Sequence, residues 1–169
     1  MKIETFRDVW IDELKDLYSA EHQLCKALPK MARAATDDAL RDAFAAHLEQ
    51  TRGHLGRLAA IFAMIDATNR GKKCIGMEGL IAQGAEMLEL ELPEAVSDAA
   101  LIAAAQRVEH YEIAAYGSAR TYAQILGEIE AAALLDETLE EEKAADRLLT
   151  GIATRVNAAA AGGRPSVRV

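Results

Sequence analysis

Apolar residues recur at spacings of three and four along almost the whole chain, and nowhere does an apolar–polar alternation persist. A period between three and four is typical of amphipathic helices, whereas half-buried strands alternate with a period of two. The composition agrees with this pattern, because alanine, the strongest helix former, is abundant and only three prolines interrupt the chain. The sequence therefore predicts an all-α fold.

Capping residues place two long helices in the first half of the chain. The first begins near Thr5, which forms a capping box with Asp8, and the second is capped within residues 36–38. The second helix is expected to stop near residues 69–71, where a glycine follows an asparagine and an arginine. Only a few residues separate the two helices, so they must form an antiparallel hairpin.

The second half of the chain repeats this hairpin. Ser97 and Asp98 are predicted to cap a third long helix that runs to about Gly127, and a fourth follows at once and fades near residues 158–161. About 30 residues separate the two hairpins, enough to travel the length of a bundle, and a short extra helix is expected over about 80–90. Two antiparallel hairpins joined by a long crossover form the ferritin-like four-helix bundle.

We expect one domain over residues 1–160 and a flexible tail over residues 161–169.

The net charge of −8 and the pI of about 5.0 disfavour a nucleic-acid partner, because an acidic surface repels phosphates. No apolar run reaches the roughly 18 residues of a membrane span, and the N-terminus lacks the apolar region of a signal peptide. Cys25 and Cys74 are too few for a disulfide framework. We therefore expect no membrane partner and a cytoplasmic location.

Polar residues lie on the otherwise apolar core face of all four long helices. They are Glu21 on the first helix, His47, Thr51 and His54 on the second, Glu109 and Glu112 on the third, and Glu142 and Asp146 on the fourth. A helix face that packs into a core should be apolar, so the presence of each of these polar residues on a core face has to be explained. Glu21, Glu112 and Glu142 are central in their faces, whereas Glu109 lies at the edge of its face and Asp146 could be an ordinary helix acid.

The spacing of these residues places them at one height in the bundle. Glu21 and Thr51 are 30 residues apart, and so are Glu112 and Glu142. A shift of 91 residues carries the first pair onto the second. In each hairpin the turn lies midway between the paired positions, so the two members of a pair come level. The four helices are therefore expected to direct polar groups at a single region of the core.

Three or four carboxylates in an apolar core cannot all stay ionised without a cation, because each buried charge costs several kcal/mol and like charges raise one another's pKa. A divalent metal ion removes both penalties. Carboxylates with one or two imidazoles favour iron or manganese over zinc. The alternative is a metal-free structural or interaction bundle, in which the acids are protonated or paired with arginine and lysine, and one histidine is a hydrogen-bonded filler of the core.

Six segments carry a resemblance to a known family. They are DLYSAEHQL at 16–24, ALPKM at 27–31, HLEQT at 47–51, KCIGMEGL at 73–80, EHYE at 109–112 and EEEKAAD at 140–146. At these residues the chain resembles the ferritin-like superfamily, whose hairpins each carry a Glu and then a Glu-x-x-His motif. It is most similar to the YciF-type ferritin-like proteins, a bacterial stress-associated group without an assigned reaction. The linker segment at 73–80 is the most specific of the six.

The resemblance implies a metal site, but two motif positions depart from it. Thr51 stands where the second helix should carry the Glu of Glu-x-x-His, and Ala145 stands where the fourth helix should carry the His. Gln50 could supply a neutral oxygen in place of the missing carboxylate. The predicted metal ligands are Glu21, Gln50, His54, Glu112, Glu142 and Asp146.

The same resemblance implies iron, as a dinuclear or mononuclear centre, or manganese in its place. It also implies redox handling of iron or peroxide in a stress response, with oxidase or peroxidase-type activity and electrons from iron or a donor protein. Because the ligand set is incomplete, such a site holds two metal ions, one or none, and enzymatic activity is a hypothesis. The roles of His47 and Cys74 stay open.

Small residues line the face of the second helix opposite the core. That face carries Ala45, Glu49, Gly53, Gly56, Ala60 and Ala63 at steps of three and four. Glycine inside a helix costs about 1 kcal/mol relative to alanine, so close packing against another helix is expected there. The partner is either the crossover segment over 80–92 or the same helix of a second subunit. We favour the second subunit and predict a two-fold homodimer.

Overall fold

Five α-helices account for most of the chain. The computed structural model describes residues 2–162, and within that range it contains no strand. The helices are α1 (Phe6–Ala34), α2 (Asp38–Met64), α3 (Ile75–Leu88), α4 (Glu94–Ile125) and α5 (Ile129–Ala160). None of these helices combines the length and apolar character needed to cross a membrane. The all-α prediction is confirmed. Of the tail predicted over 161–169, residues 161 and 162 form a turn and the others lie outside the described residues.

The four long helices form a closed bundle. α1 packs on α2 as one hairpin, and α4 packs on α5 as the other. The hairpins meet through contacts of α1 with α4 and of α2 with α5, so the order around the bundle is α1, α2, α5, α4. The connection that contains α3 joins the diagonal helices α2 and α4. This is the ferritin-like arrangement, with a long crossover and a short extra helix, that the sequence predicts.

Local capping signals set several helix ends where the sequence places them. Asp8 N donates a hydrogen bond to Thr5 Oγ1 at 3.1 Å, and Thr5 N donates to Asp8 Oδ2 at 2.8 Å, which completes the capping box of α1. Asp37 caps α2 by accepting a hydrogen bond from Leu40 N at 3.1 Å. Gly127 has a φ of +76°, and this left-handed conformation ends α4.

Two helix ends around the crossover differ from the prediction. α2 stops at Met64, well before the predicted end, because Asp66 adopts a positive φ of 51° and turns the chain away from the helix axis. α3 starts at Ile75, ahead of its predicted start, because Cys74 acts as its N-cap. The Cys74 sulfur accepts a hydrogen bond from Met77 N at 3.3 Å. Cysteine is not among the usual capping residues, so the sequence does not reveal this start.

Asp98 does not cap α4, contrary to the prediction. α4 begins at Glu94, so Asp98 lies inside the helix. Its carboxylate accepts hydrogen bonds from Thr36 N at 2.9 Å, Thr36 Oγ1 at 2.6 Å and Asp37 N at 2.8 Å. Only 2% of the Asp98 side chain is exposed. Asp98 therefore caps the N-terminus of α2 and ties the start of α4 to the α1–α2 turn.

The outer face of α2 stays uncovered, because α3 packs against α4 and α1. The small residues of this face, Ala45, Gly53, Gly56, Ala60 and Ala63, are all exposed. A Cβ atom built on Gly53 or Gly56 would meet no other atom within 4 Å. The crossover is therefore not the partner of this face, which removes one of the two alternatives.

The core consists of two apolar parts. One part includes Leu24 and Phe44 and lies toward the α1–α2 turn, and the other includes Trp10 and Leu58 and lies toward the α4–α5 turn. All four long helices contribute to the first part and to the second. The two parts are separated at the middle of the bundle, where the core changes from apolar to polar.

Candidate metal centre

A group of buried polar side chains lies between the two apolar parts of the core. We call it the central cluster; it consists of Glu21 from α1, His47 and His54 from α2, Glu109 and Glu112 from α4, and Glu142 from α5. All six side chains are buried, and four of them have no exposed surface. Each long helix thus contributes at least one charged or titratable group to a single region.

His54 lies between two carboxylates at the first of two candidate ion positions. Its Nδ1 atom is 3.2 Å from Glu21 Oε1 and 3.0 Å from Glu142 Oε1. One ligand atom from each of the three residues lies within 4.8 Å of the other two. All three side chains are fully enclosed. Two carboxylates and one imidazole could therefore hold a cation here without competition from bulk water.

His47 marks the second candidate position, two turns from His54 on α2. Its Nε2 atom is 3.4 Å from Glu109 Oε1 and 3.7 Å from Glu142 Oε2. Together with Glu112, these residues again offer ligand atoms within 4.8 Å of one another. Glu142 belongs to both groups, and each of its oxygens lies beside a different histidine. This carboxylate could therefore bridge two ions.

Most polar atoms of the central cluster have no aligned hydrogen-bond partner, although His54 Nδ1 and Glu142 Oε1 are 3.0 Å apart. Among the described residues, ten buried side-chain nitrogen and oxygen atoms are unpaired, and eight of them belong to the cluster. Leaving a buried polar atom unpaired costs about 1–3 kcal/mol, and more when the atom is charged. Unpaired carboxylate and imidazole atoms that converge on one region are what a cation site requires, so these donors fit a divalent metal ion.

Burial and mutual repulsion decide the protonation of the acids. Burial raises the pKa of Glu112 and Glu109 well above the usual range, and the neighbouring carboxylates add to the shift. Burial also raises the pKa of Glu21, although His54 opposes it. For Glu142, burial would raise the pKa, but the adjacent imidazoles outweigh burial and lower it. Without an ion, protons therefore supply part of the positive charge that the cluster needs.

Glu141 and Arg57 fix the orientation of His54. The His54 Nε2 atom lies 2.8 Å from Glu141 Oε2, and Arg57 donates hydrogen bonds of 2.8 Å to both oxygens of Glu141. With a proton on Nε2, Nδ1 is the atom that faces the cluster. Burial alone would lower the pKa of His54, but the carboxylates of Glu142 and Glu21 raise it to about 10. A metal ion at Nδ1 would have to displace that additional proton.

Gln50 and Tyr116 hold other members of the cluster in position. The Gln50 Oε1 atom lies 3.2 Å from His47 Nδ1, so it can accept the Nδ1 proton and leave Nε2 directed at the cluster. Tyr116 is fully buried and donates a hydrogen bond to Glu21 Oε1 at 2.5 Å. Thr51 instead donates to the His47 carbonyl oxygen of its own helix at 2.9 Å. Its hydroxyl therefore points back along α2.

Four of the six predicted ligands meet in the central cluster. They are Glu21, His54, Glu112 and Glu142. Gln50 contacts His47 and belongs to neither group of candidate ligands. Asp146 lies outside the cluster, where its carboxylate accepts a hydrogen bond from Gln106 Nε2 at 3.1 Å. One further turn along α5 is enough to carry Asp146 away from the level of Glu142.

The sequence gives no indication that Glu141 belongs to the site. It leaves the role of His47 undecided and places Glu109 only at the edge of its core face. The helical spacing already places His47 and Glu109 on the core faces that carry His54 and Glu112, so this spacing is the signal that could have included them. Glu141 follows the more exposed phase of α5, and its side chain is 30% exposed. Its role depends on a contact between α2 and α5 that periodicity does not contain.

A cavity of 140 Å³ beside the central cluster lies mainly between α2 and α5. Small and apolar side chains such as Ala46, Ala145 and Leu148 line it, and it reaches His47 and Glu109. These two residues are 6% and 3% exposed, whereas the other members of the cluster are fully enclosed. The cavity is therefore where an ion or a small molecule can approach the cluster.

Comparison with known proteins relates the chain to YciF. The family model described as a domain of unknown function, DUF892, matches residues 5–161. The chain is 50% identical over 154 residues to protein YciF of Escherichia coli (strain K12), which covers 90% of this chain and 93% of that protein. The resemblance to the YciF-type proteins is thus confirmed at the level of sequence.

Solved structures show the same relationship. The crystal structure of the E. coli stress protein YciF matches with a TM-score of 0.90 and 49% identity, covering 92% of this chain and 98% of that chain. YcfI of Rhodopseudomonas palustris, described as a candidate structural protein, matches with a TM-score of 0.85 and 39% identity, covering 88% of this chain and 95% of that chain. Since the family model spans nearly the whole chain and YciF is half identical to it, the protein belongs to the DUF892 family.

Proposed function

We propose that the central cluster binds one or two divalent metal ions, iron or manganese, and that the protein uses them for redox chemistry on dioxygen or hydrogen peroxide in a stress response. The observation that carries this proposal is the set of eight buried, unpaired nitrogen and oxygen atoms in one region of the core. A cation would compensate their buried charge. Carboxylate and imidazole donors suit iron and manganese.

The charge of the donor set favours two ions. Glu142 would be shared, Glu21 and His54 would complete one position, and His47, Glu109 and Glu112 would complete the other. When ionised, the four carboxylates carry four negative charges, which two divalent cations would neutralise. A single ion would leave two buried carboxylates to be compensated by protons, at the same sites where burial already raises the pKa.

The surrounding residues prepare the cluster for a metal ion. When bound, such an ion supplies Lewis acidity and a one-electron redox couple. Glu141 holds the Nε2 proton of His54, and Gln50 accepts a proton from His47, so that the opposite nitrogen of each ring stays available. The two apolar parts of the core keep bulk water out. The cavity beside His47 would admit hydrogen peroxide or dioxygen, and ferrous iron or a donor protein would supply electrons to an oxidase or peroxidase-type reaction.

The cellular setting of this proposal comes from the relatives and the cysteines. Similarity to the E. coli stress protein YciF supports a role in a stress response. Cys25 and Cys74 are both free, which agrees with a reducing compartment such as the cytoplasm.

Metal analysis of protein purified without chelator tests the proposal. Glu21→Ala and Glu112→Ala should each remove most of the bound iron or manganese, because each deletes a fully buried donor. Glu140→Ala is the matched control, since Glu140 is exposed and pairs with Lys143 on the surface of α5. Unchanged metal content in both core variants would place the site elsewhere.

A metal-free structural role is the competing proposal, and the description of the related YcfI favours it. In that case protons shared among the buried acids would stabilise the core, and no ion would be needed. Wild-type protein would then contain no metal, and added Fe(II) or Mn(II) would not raise its melting temperature. A rise in melting temperature with either ion would exclude this alternative.

We also propose that the outer face of α2 forms a two-fold homodimer interface. The small residues of this face are exposed, and no atom within 4 Å would block a side chain at Gly53 or Gly56. The same helix of a second subunit could approach closely along this face. Gly53→Leu/Gly56→Leu should then give monomers in size-exclusion chromatography with light scattering. A double variant that remains dimeric and equally stable would place the interface elsewhere.

A further inference from the structure

Among the five described helices, α3 has the fewest buried residues. Of its fourteen residues only Met77 is buried. Its apolar side chains Leu80, Ile81 and Leu88 are half-buried. A helix that packs directly on a core would bury a continuous apolar stripe. Along part of its length, α3 therefore covers open space instead of core side chains.

Contacts near the N-terminus and in the second half of α3 hold it above this space. The Cys74 sulfur lies 3.0 Å from the Tyr111 hydroxyl. Gly76 approaches so closely that a Cβ atom there would lie 2.8 Å from a ring carbon of Tyr111. Further along α3, a Cβ atom on Gly84 would lie 3.5 Å from Ala104 Cβ. These contacts keep α3 on the bundle without filling the space beneath it.

The space is a cavity of 260 Å³ between α1, α3 and α4. Its walls are mostly apolar and include Leu24, Met31, Ile81, Leu88, Leu101 and Val108. An apolar cavity of roughly 150 Å³ holds benzene, so this one has room for an alkyl group of more than six carbons. It is smaller than the roughly 300–1,000 Å³ of most sites for larger organic ligands, which favours one chain over two.

Two lysines give the cavity a positive edge. Lys26 and Lys30 on α1 are the charged residues that line it, and no acidic residue does. Both are exposed, and neither forms an ion pair within the described part of the chain. The chain as a whole carries a net charge of −8. Free positive charges beside an apolar cavity complement an amphiphile with an anionic head.

We propose that this cavity binds a single-chain alkyl carboxylate, such as a free fatty acid of medium length. The alkyl chain would lie beneath α3, and the carboxylate would lie beside Lys26 and Lys30. No member of the central cluster lines the cavity. The proposal therefore stands apart from metal binding, and either one can fail without the other.

Isothermal titration with decanoate and 1-decanol tests the alkyl site and the head-group site separately. In the wild type, decanoate should bind saturably and roughly fivefold more tightly than decanol, since each exposed ion pair contributes only modestly. Lys26→Gln/Lys30→Gln should bind both compounds with similar affinity. No saturable binding of decanoate, or equal affinities in the wild type, would overturn the proposal.

Filling the cavity provides the second test. Ala27→Phe places a ring in the α1 wall and should abolish binding of both compounds, whereas Ala82→Phe, on an exposed position of α3 outside the lining, should not. Circular dichroism checks that each variant is folded, and Ala85→Phe replaces Ala27→Phe if that variant unfolds. Decanoate binding that survives in the folded, filled variant would show that it binds elsewhere.

Sedimentation with anionic phospholipid vesicles should show no association, and association through Lys26 and Lys30 would contradict a free fatty acid as ligand.

Discussion

Glu112 has both carboxylate oxygens buried without a hydrogen-bond partner. Such a group needs either a proton or a cation, because an isolated buried charge is too costly. The sequence predicts that Glu112 is buried, since it lies at the centre of an apolar helix face. Whether a proton or a metal ion compensates it depends on how close Glu142 and His47 lie, and that distance is a property of the folded bundle.

Glu141→Ala should weaken metal binding roughly 10- to 100-fold, because the residue holds His54 in the orientation that directs Nδ1 at the cluster. Glu137→Ala is the matched control. Glu137 also accepts a hydrogen bond from Arg57, but it makes no contact with His54. Competition with a chelator of known affinity measures both variants. Equal affinity in Glu141→Ala and the wild type would show that Glu141 does not orient His54 for metal binding.

The acids make the stability of metal-free protein depend on pH. Glu109 and Glu112 hold protons more tightly in the folded than in the unfolded chain, because burial raises their pKa. The stability that these bound protons give to the folded protein is present at low pH and is lost as pH rises through the folded-state pKa. His54 acts in the same direction, since its pKa is raised to about 10. Glu142, whose pKa is lowered, has the opposite effect, but only as pH falls below the usual glutamate range.

We therefore expect chelator-treated protein to melt at a lower temperature at about pH 8 than at about pH 6. Saturating Mn(II) should raise the melting temperature more at the higher pH, because the ions replace protons that the acids then lack. Glu109→Gln/Glu112→Gln removes the two acids whose pKa is raised well above the usual range and should reduce the dependence; the part that remains comes from His54, whose pKa is also raised. A metal-free wild type with the same melting temperature at both values would contradict this protonation scheme.

At the scale of helices, sequence patterns predict which segments are helical better than they predict where helices end. The capping box of Thr5 and Asp8 is purely local, and it is present as predicted. Asp98 also has the sequence of a local cap, but it lies inside α4 and caps α2 instead. A capping residue and the helix it caps can be far apart in sequence, and local patterns do not contain that information.

Asp98→Ala should destabilise the protein by about 2 kcal/mol, because it removes a buried cap and leaves the backbone N–H groups of Thr36 and Asp37 without their partner. Ser97→Ala is the adjacent control and should change the free energy of unfolding by less than about 0.5 kcal/mol. Urea denaturation measures both. A larger effect for Ser97 than for Asp98 would mean that the cap is local after all.

At the scale of the whole molecule, the 30-residue spacing within each hairpin accounts for the position of the site. It predicts that Glu21, Glu112 and Glu142 come level, and the structure has them in one cluster. It does not predict how far the cluster extends along the bundle axis. Asp146 lies one turn too far along α5 to join the cluster. His47 joins it because the two oxygens of Glu142 lie beside different histidines, and Glu109 lies beside His47.

The crossover is the part of the molecule that sequence reasoning describes least well. Its length predicts that it must travel along the bundle, but length alone does not say which groove it follows. α3 lies on α1 and α4, where Gly76 allows close contact with the Tyr111 ring. That contact joins residues far apart in the chain, so it becomes visible only in the folded structure.

The most direct test of a two-ion centre is anomalous X-ray diffraction from crystals grown with Mn(II) or Fe(II). Two peaks are expected at mid-bundle, one beside Glu21 and His54 and the other beside His47, Glu109 and Glu112, with Glu142 between them. A single peak would restrict the centre to one ion. No peak within the bundle, or peaks only at surface carboxylates, would contradict metal binding by the central cluster.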